Sequence, residues 1–476
     1  MNDALPSGSR IHLIAICGVG MASLAGLLQA QGYRVSGSDE NVYPPMSTYL
    51  ESIGIPILCG YRREHIEPRP DLVIVGNAVS KNNPEVQRVL EEGIPYVSFP
   101  DAVGKFLIGS REALVVAGTH GKTTTTALAA WVLKSAGIEP GFFIGGVPLN
   151  FGSGWHPGNG RHVVIEGDEY DSAFFDKGPK FLHYRPRRAI LTSLEYDHAD
   201  IYRDLDQLRE AFRRFVELIP VGGLLIACYD DGEVAKVARA AACRVVSYGE
   251  GGDCDWSLRG LRPCQGKTIF EPCYRGSAEG EVEVGLIGRH NMKNALAVYA
   301  LGREMGLARQ DLLAGFGSFT GVKRRQEVKG ERRGVLVIDD FAHHPTAVRE
   351  TIDAVKAAYP GRRLWAVFEP RSNTSRRRVF AREFAEALAA ADRVVIAGLY
   401  LPEKIPAEER LDPVQVVEEI NRLRGSGIAR HMEKNMDIPR LIAAEARARD
   451  VILVMSNGGF DNVQEKILRA LEASES

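Results

Sequence analysis

Short apolar runs recur along the chain, and most are followed by a glycine or an acid and then by a stretch of helical character. Leu114, Val115, Val116 and Ala117 form one such run, suited to a buried strand, and residues 123–133 then read as a helix. Strands at 12–16, 33–38, 71–75 and 95–98, with a helix at 24–31, form a first unit. A second unit has strands at 161–165, 188–192, 224–227 and 245–248, and its residues 251–288 read as short antiparallel strands joined by turns. The third has strands at 335–340, 363–368, 394–397 and 451–455, with a helix running to Tyr359. Strands alternating with helices predict parallel α/β units whose ligand loops lie at the strand C-termini. The expected fold class is therefore α/β in three domains: 1–110, 111–322 and 323–476.

Composition narrows the picture. A chain of 476 residues is too long for one ordinary core, and its 45% apolar and 25% charged content is that of a soluble globular protein. Lys plus Arg (59) nearly balances Asp plus Glu (61), so no bulk basic surface for nucleic acid is expected. The seven cysteines are scattered, with no Cys-x-x-Cys pair, which points to reduced thiols. Cys254, Cys264 and Cys273 are nearly evenly spaced, but no neighbouring His or Cys completes a zinc set. Residues 11–33 carry no acid, Lys or Arg and resemble a signal peptide at first sight. Glycines and two glutamines interrupt them, and a buried strand-turn-helix explains them better, so a cytoplasmic protein without a membrane segment is expected.

The candidate chemistry centres on Gly118-Thr119-His120-Gly121-Lys122-Thr123, placed between a strand and a helix. The two glycines allow a tight turn, backbone N–H groups and a helix N-terminus face an anion, Lys122 neutralises charge, and the Thr123 hydroxyl can ligate Mg²⁺. Val116 stands where the longer phosphate-loop pattern has its first glycine, and an ordinary Gly-rich turn capped by Thr is the alternative. Four carboxylates between Glu166 and Asp171 follow a strand, either as a solvated loop or as a source of an Mg²⁺ ligand. Glu195-Tyr-Asp-His-Ala-Asp200 ends another strand and suits a metal ion, an acyl-phosphate site or a helix cap. In the first unit, Gly18-Val-Gly20-Met21-Ala-Ser23 and the acid Asp39 nearly make the dinucleotide fingerprint, with Ser23 in place of the third glycine. NAD and a UDP-sugar both present a pyrophosphate, and this domain does not decide between them. Asn291 and Asn294 lie one turn apart at a helix start, where Asn is first of all a cap. Arg371 and Arg376 to Arg378 form either a solvated face or a guanidinium clamp for carboxylates.

Gly118-Thr-His-Gly-Lys-Thr123, Glu166-x-Asp-Glu-x-Asp171, Asp197-His198, His290-Asn-x-x-Asn294 and Asp339-Asp-x-x-His-His-Pro345 together resemble the Mur ligase family, in order and spacing across essentially the whole chain. The resemblance implies ATP-dependent amide bond formation with Mg²⁺. ATP would phosphorylate the lactyl carboxylate of UDP-N-acetylmuramate, and an amine would attack the acyl phosphate. Residues 140–148, 169–177 and 369–374 resemble the subfamily that joins the tripeptide L-Ala-γ-D-Glu-meso-diaminopimelate in peptidoglycan recycling, rather than the one that adds free L-alanine. Carried over by position, Gly118, Thr119, His120, Gly121, Lys122, Thr123 and Thr124 would cradle ATP, with Lys122 on the β/γ-phosphates. Thr123, Glu166 and His198 would hold Mg²⁺, Asn294 would meet adenine, Arg325 and Asp340 the phosphates and ribose, and His343 would lie near the γ-phosphate. Gly18, Gly20, Met21, Ser38 and Asp39 would bind the UDP-sugar, and Arg371, Ser372, Asn373 and Thr374 the peptide. A monomer or weak homo-oligomer is expected.

One departure stands out. Many Mur ligases carry a carbamylated lysine some fifteen residues after the Asp-His pair, whereas no lysine lies between Lys180 and Lys236 here, and Arg213 and Arg214 occupy that region. Among rival readings, a nicotinamide-dependent oxidoreductase leaves Lys122 and Glu166 unexplained. A folate polyglutamylating ligase would lack the Gly-x-Gly unit at 11–39, and a non-catalytic nucleotide-binding module would be expected to have lost Lys122, Glu166 or His198.

Overall fold

The computed structural model describes residues 5–196, 201–264 and 266–473. The first sheet is parallel throughout and comprises β1 (Arg10–Ile14), β2 (Arg34–Asp39), β3 (Ile57–Cys59), β4 (Leu72–Val75) and β5 (Tyr96–Ser98), in the order β3-β2-β1-β4-β5. β4 is buried along its whole length, as a central parallel strand covered on both faces must be. The order reverses between β1 and β4, which opens a crevice at their C-terminal ends. The helix above it begins at Val19 rather than at the expected Leu24, so Gly18 is its N-cap and Gly20 belongs to its first turn. Gly20 is admitted there by packing: a Cβ on it would sit 3.1 Å from the Phe99 ring.

Among the described residues the central sheet has eleven strands. In chain order come β6 (Glu112–Ala117), β7 (Gly141–Phe143), β8 (Trp155–His156) and β9 (His162–Gly167), then a separate hairpin of β10 (Asp171–Ala173) and β11 (Asp176–Pro179). They are followed by β12 (Pro186–Leu191), β13 (Leu224–Cys228), β14 (Arg244–Gly249), β15 (Trp256–Cys264), β16 (Lys267–Tyr274), β17 (Ser277–Ala278) and β18 (Val282–Val284). β6 lies in the middle, parallel to β9 on one side and β12 on the other. The β15–β18 extension is antiparallel, the pattern expected for 251–288. Helix Lys122–Ser135 packs against helices Arg289–Glu304 and Arg309–Ser318 beside this sheet.

The third sheet contains β19 (Glu327–Arg332), β20 (Val335–Asp340), β21 (Leu364–Phe368), β22 (Arg393–Ala397), β23 (Ala429–Met432) and β24 (Val451–Met455), ordered β19-β20-β24-β21-β22-β23. Among the described residues only β19 is antiparallel in this sheet. The segment entering this domain is pinned to the central one: Leu149 N donates to Gly321 O and Lys323 N to Val147 O, both at 3.0 Å. Among the described residues no helix is long and apolar enough to cross a membrane.

Candidate active site

Strand register assembles the phosphate loop. Val116 pairs with Glu166 of β9, and Ala117 with Leu191 of β12, so Glu166 and Thr192 flank the turn at Gly118. Both glycines are required by shape. Gly118 has φ 136° and a Cβ there would strike the Thr192 hydroxyl; Gly121 has φ 81° and a Cβ there would sit 2.7 Å from Asn294 Oδ1. The helix starts at Lys122, whose Nζ donates to Gly118 O at 2.7 Å and to Glu169 Oε2 at 2.8 Å. Burial pushes the Lys122 pKa down, but Glu169 and then Asp168 outweigh it, and the ammonium stands above the ordinary lysine value. Thr124 is buried in the first turn.

Oxygen ligands converge at the next residue. The Thr123 hydroxyl donates to Glu166 Oε2 at 3.3 Å and accepts from Arg325 Nη2 at 3.0 Å. Gly145 N holds the other oxygen of Glu166 at 2.7 Å. Burial, then the nearby Asp168 carboxylate, push the Glu166 pKa up to about 7. A hydroxyl and a carboxylate facing one point beside a lysine fit a hard divalent cation bridging to phosphate. His198 lies outside the described residues.

The third domain closes over this loop. Arg325 lies over the Phe341 ring, 4.6 Å from its centroid, and burial depresses its pKa while Asp340 opposes the shift. Asp340 is buried, and its two oxygens accept from Gln326 N at 2.8 Å and Ala342 N at 2.7 Å. Burial raises its pKa. Asn294 lies beneath Gly121, with its Nδ2 3.5 Å from Asn291 Oδ1, and Asn291 Nδ2 donates to Gln326 Oε1 at 3.0 Å. The two asparagines thus line the junction rather than cap the helix, whose N-cap is Gly288. His343 Nδ1 is 2.9 Å from Phe341 O. Its neighbour His344, to which the sequence assigned no role, lies near the loop's His120 with ring centroids 5.1 Å apart and planes tilted by 39°.

In the first domain, Gly18 N-caps the helix carrying Gly20 and Met21, and Asp39 closes the turn by accepting from Cys17 N at 2.9 Å and Asn41 N at 2.8 Å. Ser38 is turned inward instead: its hydroxyl donates to the buried Glu85 at 2.5 Å, and Glu85 also meets His65 at 2.8 Å. No sequence pattern connects those residues.

The third-domain loop after β21 divides the expected arginine clamp. Arg371 stacks on Tyr400, 3.6 Å from the ring centroid, and lies 3.7 Å from Glu369. Ser372 and Ser375 bond one another at 2.8 Å, and Asn373 Oδ1 accepts from Arg376 Nη2 at 2.8 Å. Thr374 is buried. Arg376 is structural: it is buried and donates to the carbonyls of Tyr400 at 2.9 Å and Leu401 at 3.1 Å. Arg377 pairs with Glu409 and Arg378 is exposed, while Arg371 packs on Tyr400, one of the residues lining a hollow of about 320 Å³. Glu369, Tyr400, Glu433, Lys434, Asp461 and Lys466 line it. Arg213, in the region of the missing lysine, pairs with Glu210 at 2.6 Å and with Glu217 on its own exposed helix face.

Fold and site define a three-part α/β protein with a glycine-bounded strand-to-helix loop, Gly118–Thr123, at the junction of its central and third parts. Three family models match in succession: "Mur ligase family, catalytic domain" over residues 10–111, "Mur ligase middle domain" over 116–302 and "Mur ligase, glutamate ligase domain" over 324–458. The chain belongs to the Mur ligase family. It is 41% identical over 97% of its length to the UDP-N-acetylmuramate–L-alanyl-γ-D-glutamyl-meso-2,6-diaminoheptandioate ligase of Escherichia coli (strain K12), covering 98% of that protein. Identity to the UDP-N-acetylmuramate–L-alanine ligase of Carboxydothermus hydrogenoformans is 33%, over 96% of each chain. Among solved structures, a murein peptide ligase from Psychrobacter arcticus is 36% identical with TM-score 0.72, covering 98% of this chain and 99% of that one. The UDP-N-acetylmuramate–alanine ligase of Thermotoga maritima is 26% identical with TM-score 0.82, covering 98% of this chain and 100% of that one.

Proposed function

We propose that the protein is an ATP-dependent ligase that joins the lactyl carboxylate of UDP-N-acetylmuramate to the α-amine of L-Ala-γ-D-Glu-meso-diaminopimelate. The carboxylate takes the γ-phosphoryl group of ATP and ADP leaves; the amine then attacks the acyl carbon, releasing phosphate and a proton as the amide forms. The observation that carries this reading is the meeting of Thr123, Glu166 and Arg325 at one point, from two domains, next to Lys122, which pairs with Glu169. Lys122 and Arg325 would neutralise the phosphates, and the loop amides would orient them. Thr123, Glu166 and His198 would hold Mg²⁺, which when bound offsets phosphate charge. The crevice over Gly18, Gly20 and Met21, closed by Asp39, suits the pyrophosphate of the UDP-sugar, with Ser38 supporting the strand end from inside. Asn294 and Asp340 would frame the nucleoside, with His343 beside them.

The choice of amine rests on the third domain. Whole-chain superposition runs toward an alanine ligase and sequence identity toward tripeptide ligases; the amine is read by side chains, so identity is the better guide. Arg371 with Ser372, Asn373 and Thr374, beside a hollow carrying both signs of charge, suits a peptide with several carboxylates and a distal ammonium group. Free alanine needs far less room. The test is phosphate release from ATP with UDP-N-acetylmuramate, Mg²⁺ and either the tripeptide or L-alanine. Turnover strongly favouring the tripeptide is expected, and preference for alanine would overturn the assignment.

A further inference from the structure

Glu195 lies just beyond β12, and both its backbone and its carboxylate are committed. The Thr119 hydroxyl of the phosphate loop donates to Glu195 O at 3.0 Å, and Glu195 N donates to that hydroxyl at 2.9 Å. Thr119 N and His120 N are held by the adjacent Ser193, through its carbonyl at 3.0 Å and its hydroxyl at 2.9 Å. The carboxylate then divides between two domains. Its Oε2 is 2.8 Å from His120 Nε2 on the loop, and its Oε1 accepts from Thr346 Oγ1 of the third domain at 2.7 Å. His344 Nδ1 approaches the Oε2 side at 3.7 Å. Thr346 and His344 open the helix Pro345–Ala358, whose N-terminus favours an anion at this place.

The sequence offered a metal ion, an acyl phosphate or a helix cap as the role for residues 195–200, of which 197–200 lie outside the described residues. Glu195, His120 and His344 bring ligand atoms within 4.8 Å of one another, and the Glu195 carboxylate is split between the loop imidazole and a third-domain hydroxyl, which is the arrangement of a strut. We propose that Glu195 is a positioning residue that couples the seat of the third domain to the shape of the phosphate loop. Seating Thr346 fixes Glu195, Glu195 fixes Thr119 and His120, and the same seating brings Arg325 onto Thr123. The loop reaches its anion-binding form when the third domain is in place. This rests on the reading of residues 118–123 as the ATP site.

The experiment uses the full chain with Glu195→Ala, Glu195→Gln, Thr346→Val and the Ala/Val double variant. Steady-state turnover of ATP with the sugar nucleotide and tripeptide is measured together with amide hydrogen exchange across 118–123. Glu195→Ala is expected to lower kcat about tenfold or more by misplacing the loop. Glu195→Gln, which still accepts from Thr346, recovers most of that loss. The double variant is no worse than Glu195→Ala, because both changes cut one link. Losses that multiply, or a Gln variant as impaired as Ala, would overturn the strut. Absence of turnover by the unaltered protein with either amine would defeat the ligase reading, whereas the exchange measurement needs no substrate. Faster exchange at 118–123 in Thr346→Val supports the coupling, and unchanged exchange rejects it.

Discussion

Arg325 Nη2 donates to Thr123 Oγ1 at 3.0 Å, across 202 positions of sequence, while that hydroxyl faces Glu166. A guanidinium from the third domain thus stands at the point where the helix of the central domain begins. Arg325→Ala should lower kcat/KM for ATP about a hundredfold, the scale for losing one preorganised donor. Arg325→Lys should recover little, since a lysine lacks the planar fork and the stacking on Phe341. Initial-rate kinetics with varied ATP decides this, and near-normal rates for the Lys variant would remove the fork from the account.

Lys122 and Glu169 form a largely buried pair at 2.8 Å, with Glu169 only 1% exposed. Glu169→Ala leaves the ammonium its bond to Gly118 O but removes its paired carboxylate, and should cost about 3 kcal/mol in stability. Glu169→Gln should cost less, because the amide oxygen still accepts from Nζ. Lys122→Ala should nearly abolish ATP turnover. Urea unfolding measures the first two effects; a Glu169→Ala protein as stable as the parent would show that the pair contributes nothing.

Asp101 of the first domain and Asp176 of the second grip opposite nitrogens of His183, at 2.7 and 2.8 Å. The hydrogen bond to Asp101, followed by the charges of both aspartates, outweighs burial and raises the His183 pKa above its ordinary 6.5. A raised folded-state pKa gives stability that is complete below the unfolded value and fades as pH rises through the folded one. The melting-temperature gap between the parent and His183→Gln should therefore be widest near about pH 5.5 and narrow toward about pH 8.5. A gap that widens with pH would reverse the assignment of charge.

Gly458 faces the Arg371 side chain so closely that a Cβ would overlap its Nε and Cδ. Gly458→Ala should push Arg371 off Tyr400, raising KM for the tripeptide about tenfold and leaving KM for ATP unchanged. Kinetics with each substrate varied in turn tests this, and equal effects on both would place Arg371 outside peptide recognition.

Apolar runs ended by glycine or acid revealed the parallel strands and the loops at their C-terminal edges, because buried parallel strands leave that signature. Register then did what spacing could not: pairing Val116 with Glu166 put an acid beside the phosphate loop. The helix began at Val19, earlier than expected, with Gly20 seated against Phe99, a contact no local propensity records. Arg376 looked like part of a clamp, yet it serves the carbonyls of Tyr400 and Leu401. The meeting of Glu195 with Thr346, like that of Ser38 with Glu85, joins segments whose separation carries no pattern, so side-chain partners of this kind emerge only from the folded chain.

The pinning of Gly321 and Lys323 to the 147–149 segment has a mechanical consequence. Arg325 follows Lys323 by two residues, within about 7 Å of the pin. Arg371 is close to it too: Arg324 donates to the carbonyl of Gly458, and Gly458 lies against the Arg371 side chain. A rigid rotation about that pin displaces a point in proportion to its distance from the axis, so Arg325 and Arg371 both ride near the pivot while the outer strands β22 and β23 sweep further. Nucleotide and amine contacts then move together as one short arm of a swinging body.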